Sequence, residues 1–86
     1  MGSYEVRMAH SAESELANLP KSTLAILWPR IKALAYEPRP RQTRKLRGAE
    51  RAYRLRVRDF RVIYTIDDEQ KLVRVTAIRR RREAYR

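Results

Sequence analysis

Arginine recurs at every second position through Arg54, Arg56 and Arg58, and returns at Arg61 just after Asp59 and Phe60. Between these cations Tyr53, Leu55 and Val57, then Phe60, Val62, Tyr64 and Ile66, keep the same period of two. Such alternation marks half-buried strands. Tyr53 to Ile66 therefore reads as a hairpin with a tight turn near Asp59, one apolar face and one cationic face that Ile63 makes partly apolar. A second cationic run, Arg79 to Arg82, stands shortly before Tyr85. A guanidinium is planar, permanently charged and forked, so it grips phosphate oxygens in pairs where a lysine offers a point charge. Recognition of a polyanion is the chemistry these residues suggest. The plainer alternative for Arg54 and Arg56 is a solvated sheet face whose charge wards off edge pairing.

The division of charge along the chain supports the first reading. Residues 1–38 hold four cations (Arg7, Lys21, Arg30, Lys32) and four anions (Glu5, Glu13, Glu15, Glu37), whereas residues 39–86 hold 17 cations against 6 anions. The whole net charge of +11 thus sits in the second half, and 15 of its 17 cations are arginine. Neutralising phosphates releases condensed counterions, so this asymmetry is the footprint of a binder of phosphate backbones.

Composition excludes several other classes. The 86 residues allow one domain with a modest core and no multidomain enzyme. Without cysteine there is no disulfide framework or thiolate zinc site, and the single His10 cannot build a metal cluster alone. No apolar run approaches the roughly 20 residues that span a bilayer, and the N-terminus lacks a signal-peptide pattern. A soluble cytoplasmic protein without a membrane partner is expected.

The hairpin needs supporting elements. Tyr4, Val6 and Met8 alternate with Glu5 and Arg7, which predicts a first strand. Ser11 is placed to cap a helix with Ala12, Leu16 and Leu19 on one face, Glu13 and Glu15 near its positive end, and Pro20 as its stop. Leu24, Leu27, Ile31 and Leu34 form the stripe of a second helix. Pro29 cannot bond Ala25, so that helix either kinks there or its regular part begins only a few residues earlier. Trp28 is expected in the core or between helices. The two prolines and closing glycine of Glu37 to Gly48 mark a connector. Asp67 to Gln70 supplies a polar turn, and Leu72 to Ile78 reads as a last strand. The expectation is an α+β, two-layer β-α-α-β-β-β arrangement, two N-terminal helices packed on a largely antiparallel sheet whose other face is left to water and cations. Tyr53 and Tyr64 are expected in its core, and His10 on its surface.

Four segments in order, Arg44-Lys-Leu-Arg-Gly48, Tyr53-Arg-Leu-Arg-Val57, Asp59-Phe-Arg-Val-Ile-Tyr64 and Arg81-Arg-Glu-Ala-Tyr85-Arg86, resemble the RelE/ParE toxin superfamily. Ala12, Leu16, Leu19 and Pro20 look like the family's first helix, so the resemblance covers nearly all of the chain as a single toxin domain, 1–86. It implies the toxin component of a type II toxin–antitoxin system, silenced by a cognate acidic antitoxin. RelE-like members cleave mRNA in the A site of the 70S ribosome, whereas ParE-like members inhibit DNA gyrase. Fold alone does not choose between these targets. The reading taken here is the ribosome-dependent endoribonuclease, with the gyrase inhibitor or a non-catalytic RNA-binding module as alternatives.

In RelE-like toxins two cations on the first hairpin strand, an arginine on the second, an arginine after the last strand and a nearby tyrosine form the site. By that resemblance the catalytic set is Arg54, Arg56, Arg61, Arg81 and Tyr85, although counting back from Tyr85 points to Arg79 instead of Arg81. Arg44, Lys45, Arg47, Arg58, Arg79, Arg80 and Arg82 are the expected RNA contacts. The reaction needs no metal or other cofactor: a ribose 2′-hydroxyl attacks its neighbouring phosphate while the protein orients the chain, stabilises the phosphorane and manages two protons. Better-known members carry lysines where this chain has Arg54 and Arg56. A crowded lysine can act as a base, but a guanidinium with a pKa above roughly 12 cannot. The general base is therefore not identified by these residues: Tyr85 is a candidate where surrounding arginines depress its pKa, and its other reading is a platform that stacks on a splayed base.

Overall fold

A computed structural model describes residues 3–46 and 51–80. In chain order these form β1 (Glu5–Met8), α1 (His10–Ala17), α2 (Lys21–Lys32) with a 3₁₀ turn at Ala33–Ala35, β2 (Thr43–Lys45), β3 (Ala52–Val57), β4 (Phe60–Asp67) and β5 (Leu72–Arg80). The sheet order is β1-β5-β4-β3-β2, with β1 parallel to β5 and every other pairing antiparallel. The α+β expectation holds, with two helices packed on a largely antiparallel sheet. Among the described residues no helix is long and apolar enough to cross a membrane.

The predicted stripes face the sheet at Ala12 in α1 and at Leu27, Ile31 and Leu34 in and after α2, while Leu16, Leu19 and Leu24 are half-buried. Leu27, Ile31 and Leu34 are fully buried and meet Leu55, Val62, Tyr64, Val73 and Val75. Burying each such side chain contributes about 1.5–3 kcal/mol. Pro29 is accommodated within α2, because Ala25, the residue whose carbonyl its missing amide leaves unbonded, is exposed to water. Trp28 is the exception to the expected core. It is 42 % exposed and lines a cleft between the helices with Met8, Leu16 and Leu24, one position round the helix from the buried Leu27.

Ser11 does not cap α1; Ala9 holds the N-cap position with no side-chain bond. The reason lies in the sheet. Among the described residues β1 pairs with Leu72 to Val75 and no strand continues along the rest of that edge of the longer β5, where α1 runs instead. The Ser11 hydroxyl donates to the Thr76 carbonyl at 3.3 Å, and the Ile78 amide donates to Glu15 Oε1 at 3.0 Å. Unpaired ladder groups are thereby satisfied and the edge is covered.

The connector expected from Glu37 to Gly48 contains a strand. In β2, Thr43, Arg44 and Lys45 stand opposite Leu55, Arg54 and Tyr53. The buried Tyr64 fastens it: its hydroxyl donates to the Pro38 carbonyl at 2.6 Å and bonds Thr43 Oγ1 at 3.0 Å. A buried phenol needs such partners, and burial also raises its pKa. The same connector is pinned at Arg39, which donates to Asp68 Oδ2 at 2.9 Å and to the Tyr53 hydroxyl at 3.1 Å.

Candidate functional site

Two rows of side chains cross the face of the sheet away from the core. In the first, Arg56 of β3 stands opposite Arg61 of β4, which stands opposite Arg79 of β5. In the second, Arg44 of β2 faces Arg54 of β3, followed by Ile63 and Ala77. Paired strands lie only about 4.8 Å apart, so five arginines crowd these two rows, and like charges opposite one another weaken a sheet. A bound anion would relieve that repulsion. Arg56 and Arg79 are exposed, Arg54 is half-buried, and Arg61 at the centre is only 7 % exposed.

A β-bulge puts Arg79 in the row. The β4–β5 register shifts between Ile63 and Tyr64, so that Ile63 pairs with Ala77 and Tyr64 with Val75, leaving Thr76 as the extra residue. Its hydroxyl bonds the Ile63 carbonyl at 3.2 Å. Strict alternation from the buried Val73 and Val75 would send Arg79 to the core side. With the bulge, Val73, Val75 and Ile78 all point inward and Arg79 points to the arginine face.

Glu15 then steadies Arg79. One carboxylate oxygen accepts the Arg79 guanidinium and the other the Ile78 amide, so α1 grips the end of β5. Sequence reasoning assigned Glu15 only to the helix dipole. Nothing local could reveal this partner, which lies 64 residues away.

The other expected contacts separate. Arg58 sits at the exposed tip of the β3–β4 hairpin in the left-handed region, with φ 53°. Lys45 stands opposite Tyr53, on the core side of the sheet, and lines a polar hollow with Arg39, Arg51 and Asp67. Arg80 stands opposite Phe60, its guanidinium 5.5 Å from the ring centre, also on the core side. Neither joins the arginine face. Arg47, Arg81, Arg82 and Tyr85 lie outside the described residues. His10 is exposed at the start of α1.

The hollow's neighbour Asp68 is held below the usual carboxylate range by the Arg39 guanidinium and by the Tyr4 hydroxyl, which donates to it at 2.5 Å. The same bond raises the Tyr4 phenol. This network ties β1, the connector, β3 and the β4–β5 turn at the end of the sheet remote from the arginine row.

The arrangement presents anion-binding charge at fixed spacing and is backed by a rigid sheet. Residues 6–85 match the family described as the ParE toxin of the type II toxin–antitoxin system parDE. Over 86 residues the chain is 28 % identical to the RelE1 protein of Methanocaldococcus jannaschii, covering 96 % of each. It is 30 % identical to a chain of the archaeal RelE–RelB complex from Pyrococcus horikoshii, with a TM-score of 0.82 over 92 % of this chain and 96 % of that one. The toxin–antitoxin complex RelBE2 from Mycobacterium tuberculosis gives 30 % identity and a TM-score of 0.79 over 92 % and 99 %. The chain belongs to the RelE/ParE family as a toxin of a type II toxin–antitoxin system.

Proposed function

We propose that the toxin is a RelE-like endoribonuclease that cuts mRNA on the ribosome. The observation that supports this most is the in-register row Arg56–Arg61–Arg79. A phosphorane carries more charge than the phosphate it forms from, so a fixed set of guanidinium donors stabilises it preferentially. The ribose 2′-hydroxyl loses its proton and attacks the adjacent phosphorus, and the 5′-oxygen of the next nucleotide leaves and takes up a proton from water, giving a 2′,3′-cyclic phosphate and a free 5′-hydroxyl. Arg54 and Arg44 hold the flanking backbone. Arg81 extends the catalytic set, and Tyr85 takes the 2′-hydroxyl proton that no guanidinium can accept. The partner is an acidic antitoxin lying over the cationic face, matched to a net charge of +11.

Programmed ribosomes carrying a defined message test the reading. Cuts at fixed positions in the A-site codon are expected, and a single 2′-deoxy substitution at the cut should abolish them. The matched family's ParE description favours gyrase inhibition as the second reading. Intact message together with blocked supercoiling by purified gyrase would select it.

A further inference from the structure

One residue beyond the arginine row, Phe60 and Arg80 pair across β4 and β5 on the opposite side of the sheet. There they border a cavity of about 370 Å³ closed by Glu15, Asn18 and Pro20 at the end of α1. That size lies near the small end of the roughly 300–1,000 Å³ typical of ligand sites. The Arg80 guanidinium lies over the Phe60 ring, its carbon 5.5 Å from the ring centre, so the ring backs a planar guanidinium whose outer face is a stacking surface. Asn18, exposed at the C-terminal end of α1, brings a carboxamide with both donors and an acceptor. Stacking surface plus a few hydrogen-bonding groups is what an unstacked base requires.

Glu15 joins this cavity to the arginine row. It lines the cavity and accepts the guanidinium of Arg79, a residue rooted in the arginine face. One side chain therefore already bridges the two sides at the open end of β5. We propose that the cavity is a nucleobase subsite that takes one base, preferably a purine, from the nucleotide next to the phosphate held on the row. The purine preference follows from the larger area that a two-ring base stacks against a planar guanidinium. Asn18 bonds the base's edge, and Glu15 sets how far the base lies from the phosphate. This subsite rests on the endoribonuclease reading, since it presumes that RNA crosses the arginine face.

Short single-stranded RNAs with 2-aminopurine placed at each position in turn provide the test. Quenching on binding is expected at one position only, and an abasic residue there should weaken binding about ten-fold, within the range for loss of one stacked base. Phe60→Leu, which keeps apolar packing, should remove both effects. Asn18→Ala, at an exposed position, should lower the preference for purine over pyrimidine. Arg61→Ala should weaken normal and abasic RNA alike. Salt-sensitive binding of RNA by the wild type with no position quenched, or with the abasic RNA bound equally well, would overturn the subsite alone. Failure of the wild type to bind any of these free RNAs would overturn the subsite alone, whereas failure to cut message on programmed ribosomes would overturn the parent reading and the subsite with it.

Discussion

At the residue scale the arginine row separates binding from proton transfer. Arg56, Arg61 and Arg79 can hold and neutralise a phosphate, but none can lose a proton near neutrality. The proposed base, Tyr85 with a phenol acidified by arginines, gives a split phenotype. Tyr85→Phe should lower single-turnover cleavage about 10²-fold or more, in the range of lost general-base catalysis, while leaving ribosome affinity within two-fold. Equal loss of affinity and rate would instead make Tyr85 a stacking residue. The cationic face itself was legible in the sequence through Arg54, Arg56 and Arg61, because alternation on a hairpin assigns faces directly. The membership of Arg79 was not, since it depends on one extra residue in β5. The depth of Arg61 was also hidden, because burial is set by neighbours on other strands.

At the element scale the bulge at Thr76 fixes which side chains of β5 serve the core and which the site. Deleting Thr76 restores strict alternation, so either Val73 and Val75 or Ile78 must leave the core. Losing Ile78 alone costs about 2–5 kcal/mol, as for large aliphatic truncations. The deletion should lower the unfolding midpoint in urea by that equivalent, and cleavage should fall with the loss of Arg79 from the row; a stable, fully active deletion would refute this role. α1 was readable as a helix, yet its task as an edge cover was not, because Ser11, Glu15 and their β5 partners meet only in the fold. β2 escaped notice for a related reason. Three polar residues without an apolar period look like loop, and only pairing with β3 and the Tyr64 hydroxyl make them a strand.

At the scale of the whole molecule, charge is sorted into two ends of one sheet. The site end holds unlike strands together despite crowded arginines, and the remote end is laced by the Arg39–Asp68–Tyr4 network. Because Asp68 has a lowered folded pKa, its contribution is present above the unfolded value of about 3.9 and is lost as pH falls through the folded value. Asp68→Asn should therefore lower the melting temperature at pH 7 relative to wild type, and the gap should shrink as pH falls below the unfolded value of about 3.9. A gap that stays constant as the pH is lowered into the acid range would show that the ion pair is not its source. The central claim concerns the other end. Its most direct test is the single-turnover rate at which ribosome-held message is cut by wild type, Arg61→Ala and Arg61→Lys. The account predicts that Arg61→Ala is slower by about 10²–10³-fold, as for loss of one preorganised donor to developing charge, with Arg61→Lys recovering only part of that loss. Cleavage by Arg61→Ala at the wild-type rate, with the protein folded, would contradict it.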